Sequence, residues 1–167
     1  YAQLNPGEDG VHNYFLNLRK FGEAAVAADI PIWTTLLSVG HFRYRCPNED
    51  DFRWQVSTAA AAGCKGILWF TFYSNDYRNY RNAPIGDQQQ KTVVYEWLAQ
   101  TLNRFKNNYG ELLMRLKLKE SYHLLKAYGG YKIFPAGKHP VLRSIESRYS
   151  TPGIVSFFED EQGREYI

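Results

Sequence analysis

Several things are scarce in this sequence, and each absence removes a class of protein. Cysteine is one: Cys46 and Cys64 stand before and after a single predicted helix, which puts them roughly 20 Å or more apart at the helical rise. A disulfide between them is not expected. No C-x-x-C or histidine-rich spacing offers a metal site, and neither a metal nor a redox cofactor is expected. Neither sign of charge dominates, since 20 Lys and Arg against 17 Asp and Glu leave +3. The basic residues are scattered rather than gathered in a stripe, so nucleic acid is not an expected partner. No apolar run reaches transmembrane length, and Tyr1 to Leu4 have neither an initiator Met nor the shape of a signal peptide. No membrane partner is expected, and the sequence reads as the interior of a longer protein.

Aromatic side chains are abundant by contrast, with 10 Phe, 4 Trp and 13 Tyr among 167 residues. Core and interface filling accounts for most of them. Tyr and Trp crowded into loops also suit ligands with flat, weakly polar faces, sugars among them. The length is about that of one domain.

The centre of the chain has a readable order. Ile30 to Val39 is an apolar strand with Pro31 at its start, where a missing N–H does least harm. It lacks clean alternation, as a parallel strand buried on both faces would. Gly40, His41 and an Arg- and Tyr-rich loop follow. Asn48 is then an N-cap, with Glu49, Asp50 and Asp51 in the positive first turn of a helix running to Ala62. The helix turns Phe52, Val56, Ala59 and Ala60 inward. A Gly63–Gly66 turn leads to a second apolar strand, Ile67 to Tyr73. Strand, helix and parallel strand form a βαβ unit. The turn after its helix is short, whereas the segments after both strands are long and polar. Ligands of α/β folds gather at such carboxyl ends, and a loop as long as Ser74 to Gly86 in a compact domain is a functional signal.

The flanks are read more briefly. Turn signals stand at Asn5 and Asp9. A helical stripe runs from Val11 to about Asp29, ended by Ile30-Pro31. A long helix is expected from Gln89 to Leu118, broken or kinked at Gly110. Beyond Gly129-Gly130 the period becomes two: Tyr131 to Phe134, Val141 to Ile145, Ile154 to Phe158, a Glu159–Gly163 hairpin turn and a last strand from Arg164. The fold class expected is α/β, and a resemblance carried by longer runs implies that residues 1–128 form the C-terminal portion of a TIM (β/α)8 barrel and that residues 129–167 begin an all-β sandwich. Two βα units do not close a barrel of eight, so the chain is expected to be truncated at both ends.

Longer runs carry a resemblance. Ile30 to Trp33, Ser38 to His41, Pro47 to Val56 (PNEDDFRWQV) and Ala60 to Tyr73 (AAAGCKGILWFTFY) are similar to the seventh and eighth βα units of (β/α)8 glycoside hydrolases. The groups in question are the family 42-like enzymes and neighbouring uncharacterised ones. Asn82 to Ile85, Leu102-Asn103, Tyr109 to Leu113 and Tyr122-His123 fit the same pattern, in which a helix closes the barrel and leads into a β-sandwich. The resemblance covers nearly the whole chain. It implies hydrolysis of O-glycosidic bonds in an oligo- or polysaccharide. It also implies catalytic carboxyl groups at the ends of the fourth and seventh strands, the fourth lying upstream of Tyr1. For the full-length protein a secreted or periplasmic location is expected rather than a cytoplasmic one.

Glycoside hydrolysis takes two carboxyl groups, yet the strand that resembles the seventh ends in Ser38-Val39-Gly40-His41, without a Glu. Either the strands align one unit away, or the second carboxylate comes from elsewhere, or the protein is not a standard retaining enzyme. Asp76, the first carboxylate after the next strand, is the catalytic candidate, with a solvated Asx-turn as its plainer reading. Glu49, Asp50 and Asp51 are explained by the helix they start. His41 is a candidate to donate to a sugar hydroxyl or orient a carboxylate, or simply anchors its loop. Tyr73 stands where related barrels place the aromatic floor beneath the sugar next to the scissile bond; the alternative is rim packing. Arg43, Arg45, Tyr77 and Arg78 are candidates for the rim, or parts of a solvated loop. Trp69 is expected in the barrel core, and His123 is read as structural. Two other classes remain open, a glycan-binding barrel without catalysis and a segment serving structure or assembly alone.

Overall fold

A computed structural model of the protein describes residues 10–167; the turns expected at Asn5 and Asp9 lie outside them. The described chain is mixed α/β. Helix α1 (Gly10–Ala27) leads to strand β1 (Trp33–Leu37) and the short β2 (Gly40–His41). Helix α2 (Glu49–Ala61) and strand β3 (Gly66–Phe70) complete the βαβ unit, followed by a 3₁₀ turn at Asp76–Arg78 and β4 (Tyr80–Arg81). Helix α3 (Val93–Phe105), a π-helical turn (Lys106–Gly110) and α4 (Glu111–Arg115) come next. The chain then passes through β5 (Lys117–Leu124), β6 (Lys132–Ile133), β7 (Gly153–Glu159) and β8 (Glu165–Tyr166).

Local chemistry accounts for α2. The Asn48 side chain accepts from the Asp51 N–H at 2.9 Å while the Asp51 carboxylate accepts from the Asn48 N–H at 2.8 Å, a reciprocal capping box. Phe52, Val56 and Ala59 are buried as expected, but so is Gln55. Its amide accepts from the Leu37 N–H at 2.8 Å and donates to the Leu37 carbonyl at 3.0 Å, standing in for a neighbouring strand at that point of β1.

β1 and β3 pair in parallel, Trp33 opposite Gly66 through Leu37 opposite Phe70. Paired residues share a face. Leu36 is buried with Tyr14, Phe15 and Ala59 under α1 and α2, and Trp69 beside it packs edge-on to Phe52 at 5.6 Å. Trp69 therefore belongs to the layer between sheet and helices, not to the far face. On that far face Trp33 is 61% exposed and Leu68 55%, with Thr35 exposed between them. The expectation of a strand buried on both faces holds at Leu36 and Leu37, which face opposite ways and are both fully buried, and is corrected for Trp33 to Thr35, where the far face is bare. Among the described residues β1 and β3 pair with no further strand, and no closed barrel is formed.

Two expectations at the C-terminal end are also corrected. The helix expected to reach Leu118 starts later, with Thr92 at its cap position, passes through the π turn that ends at Gly110, and stops at Arg115. Leu116 is extended, and from Lys117 the chain is strand. The apolar rows of Leu112, Leu113 and Leu116 look helical, but Leu118, Tyr122 and Leu124 alternate and pair across β7, and that pairing prevails. Lys65 closes the helix end by donating from Nζ to the Leu113 and Leu116 carbonyls. Val141 to Ile145 is not a strand either. His139 Nδ1 accepts from the Val141 and Leu142 N–H groups at 3.3 Å each, turning the chain, so that Leu142 and Ile145 pack under Phe134, Val155 and Phe157.

The second sheet runs β6-β5-β7-β8. The hairpin turn at Glu159–Gly163 is present, with Asp160 accepting from the Gln162 and Arg164 N–H groups. Its first strand precedes residue 129, and the sheet is fastened to the helical layer: Ser156 Oγ donates to the Ala61 carbonyl at 2.7 Å and Arg19 Nε to the Gly129 carbonyl at 2.8 Å. Gly129 has a φ of 60°, and a Cβ there would fall 2.2 Å from the Leu16 nitrogen, so only glycine lets the chain pass this close to α1.

Candidate functional site

The carboxyl ends of β1 and β3 open into two loops that are tied together. β2 and β4 pair antiparallel, Gly40 opposite Arg81 and His41 opposite Tyr80. Asn79, at a φ of 57°, accepts from the Phe42 N–H at 3.1 Å through Oδ1, and Arg81 donates to the Phe42 carbonyl at 3.2 Å. Cys46 Sγ donates to the Arg81 carbonyl at 3.7 Å. The longer loop is held internally too. Ser74 N–H donates to the Ile85 carbonyl and Ile85 N–H to the Phe72 carbonyl, each at 2.9 Å, and Thr92 Oγ1 donates to the Ala83 carbonyl at 2.8 Å. Residues that look like a solvated connection thus form a built wall.

His41 lies inside that wall. Its ring meets Phe42 at 4.4 Å, Tyr80 at 5.0 Å and Phe70 at 5.2 Å, and its backbone exchanges two hydrogen bonds with Tyr44. The imidazole is caged by aromatics and half-buried. Tyr73 stands outside the cage, 61% exposed, with its ring 5.7 Å from Phe72. Tyr77 and Asp76 occupy the 3₁₀ turn at the loop tip, and Tyr77 is fully exposed. The Asx cap of that turn is made by Asn75, whose side chain accepts from the Arg78 N–H at 3.2 Å. Arg43 is exposed on the shorter loop. The structure therefore brings His41 together with Phe70 and Tyr80, and places Tyr73, Tyr77, Asp76, Arg43 and Arg78 around them on the surface.

Carboxylates contribute little at this wall. Asp51 is held bidentately by Arg45 at 2.5 and 2.6 Å as well as serving the capping box. That bond raises the Arg45 pKa above the usual guanidinium value. Glu49 and Asp50 both pair with Arg53 on α2. Ser38, where the resemblance calls for a Glu, is fully buried and donates to the Thr71 carbonyl at 2.9 Å. Asp76 stands by itself among the exposed acids of these two loops, with no second carboxyl group from either.

Tyr80, Phe70, Asn79 and Arg81 are site residues that sequence reasoning passed over. Asn75 and Asn79 bracketing Asp-Tyr-Arg carry the signal for a tight turn, since Asn tolerates left-handed backbone. That turn is what returns Tyr80 to His41. Two clefts lie away from the wall. One of about 290 Å³ separates α2 from α3 beside Arg53 and Arg104. Another of about 460 Å³ lies between α1, α2 and the second sheet, walled by Phe15, Trp54 and Tyr128. Among the described residues no three His, Cys, Asp or Glu side chains converge as metal ligands, and no helix is long and apolar enough to cross a membrane. A scan against protein-family models finds none that matches this sequence, and a search of curated proteins finds no similar one.

Proposed function

We propose that the βαβ unit and the helices after it belong to a (β/α)8 glycoside hydrolase, as its seventh and eighth βα units, and that the second sheet begins an adjoining β-sandwich. The observation that carries the reading is the aromatic cluster of His41, Phe70 and Tyr80 at the carboxyl ends of two parallel strands, with Tyr73 exposed on the loop that follows β3. Strand carboxyl ends are where barrel enzymes assemble their sites. An exposed tyrosine ring there offers the apolar face of a pyranose a platform. The bare far face of β1 and β3 is the side on which a barrel interior would lie.

In this reading the wall binds and orients an oligo- or polysaccharide, and the catalytic carboxyl groups come from other strand ends of the barrel. A second reading, a barrel that binds glycans without cleaving them, is favoured by one observation: the end of β1 presents buried Ser38 rather than Glu. Two carboxyl groups about 5 to 9 Å apart across the complete cleft would decide for the enzyme. The test is Tyr73→Ala and His41→Ala in the intact protein, with glycan affinity and turnover measured. Loss of the Tyr73 platform is expected to weaken binding several-fold to about tenfold. Unchanged binding and turnover in both variants would remove the wall from the site.

A further inference from the structure

Several side chains around the cleft between α2 and α3 have hydrogen-bonding capacity that the fold leaves unused. Thr101 is 8% exposed and lines the cleft, and its hydroxyl makes no hydrogen bond among the described residues. Ser57 and Gln100 line it too, with side chains equally unbonded there, and the Arg104 guanidinium has no carboxylate partner among those residues. Asn108 donates from Nδ2 to the Arg104 carbonyl at 2.7 Å, which leaves its Oδ1 to accept. Glu49 pairs with Arg53 through one oxygen and has a second to offer. Phe105 and Tyr109 complete the lining, their rings 5.8 Å apart and Tyr109 57% exposed. Phe105 precedes the π-helical turn and Tyr109 lies within it, and such turns recur at functional sites.

We propose that this cleft is a second carbohydrate site, taking a short neutral stretch of glycan. The mixture of unused donors and acceptors decides the class. An anion takes donors alone, and Arg53, the other cation here, is already held by both Glu49 and Asp50. A sugar hydroxyl donates once and accepts as well. It therefore suits a lining in which Arg104 donates, Glu49 and Asn108 Oδ1 accept, and the hydroxyls of Ser57 and Thr101 do either. The apolar face of a pyranose finds a platform on the exposed Tyr109 ring. A volume of about 290 Å³ is at the small end of ligand sites, which suits a mono- or disaccharide unit rather than a long chain. The cleft shares no residue with the strand-end wall, so it goes beyond the reading above and either site can fail alone.

Calorimetric titration of the intact protein tests this with cellotetraose, maltotetraose and a galactan tetrasaccharide, and with inorganic phosphate. The background is Tyr73→Ala, which removes the exposed platform of the wall and leaves the cleft untouched. At least one tetrasaccharide is expected to bind there, and more tightly than phosphate. Adding Tyr109→Ala should weaken that binding several-fold to about tenfold. Thr101→Val should weaken it about two- to tenfold, the worth of one hydrogen bond, without lowering the melting temperature, because the hydroxyl has no partner in the fold to lose. Arg104→Ala, at an exposed side chain, should weaken it likewise with the circular dichroism spectrum unchanged. Affinity unchanged in all three variants overturns the inference. So does the absence of sugar binding in the Tyr73→Ala background; if the unaltered protein still binds sugar, the strand-end reading stands, and if it does not, both fall. Phosphate bound more tightly than every sugar makes the cleft an anion site and overturns the inference.

Discussion

At the scale of single residues, packing determines chemistry that composition does not reveal, and His123 is the sharpest case. It is 1% exposed in β5, stacked on Tyr131 at 4.6 Å and edge-on to Phe15 at 4.7 Å. Nδ1 accepts from the Tyr128 N–H at 3.1 Å, so the neutral ring carries its hydrogen on Nε2, which finds no partner among the described residues. Burial pushes the His123 pKa down, with the Lys126 backbone acting in the opposite direction. The unfolded chain then takes up a proton that the folded one resists. Stability is therefore full above about pH 6.5 and falls as the pH drops below that value towards the lowered folded pKa. Urea unfolding between pH 7.5 and 5 should show this decline, and His123→Phe should flatten it while losing about 1–3 kcal/mol at neutral pH through the orphaned Tyr128 N–H. An NMR titration placing the His123 midpoint at or above about 6.5 would contradict it. The sequence reading of His123 as structural agrees with its burial. The aromatic cage around His41 was less legible, because it needs Tyr80 brought back by a turn of five residues.

At the scale of elements, what was legible follows from signals that act locally. Asn48 with three acids after it announces α2, and the capping box is there. The apolar runs on either side of it announce β1 and β3, and they pair. Most of what escaped depends on distant partners. At Val141 the cause is local, since His139 two residues earlier captures its N–H. Nothing near Lys117 says strand until β7 lies alongside. Gln55 is the same kind of residue: a polar position in an amphipathic helix, which reads as solvated, is buried because Leu37 needs it. Gln55→Ala leaves both Leu37 backbone groups without partners and should cost about 2–4 kcal/mol in urea unfolding, against about 1 kcal/mol for Asn48→Ala at the exposed cap. A Gln55→Ala loss no larger than that of the cap would mean Leu37 finds water instead.

At the scale of the whole molecule, the parallel β1–β3 pair and the four-stranded sheet are protected unequally. The second sheet has α1 and α2 against one face, through Ser156 and His123, and its own loop of Phe134, Leu142 and Ile145 against the other. The parallel pair has helices on one face alone. Its far face leaves Trp33, Thr35 and Leu68 in water, and among the described residues β1 and β3 each pair with no strand but the other. Gln55 closes β1 at Leu37, so the unguarded stretch of that strand is Trp33 to Thr35. An apolar face beside an unpaired edge is a template for association. Residues 1–167 expressed by themselves should therefore self-associate and melt over a broad range, as read by light scattering on a sizing column and by calorimetry. Leu68→Lys puts a charge on the bare face without touching the helical layer, and it should shift the population towards monomer while leaving the helical signal in circular dichroism unchanged. A monomer of the unaltered sequence with a sharp cooperative melt would show that the far face needs no cover, and would take away the main physical reason for placing β1 and β3 in a larger barrel.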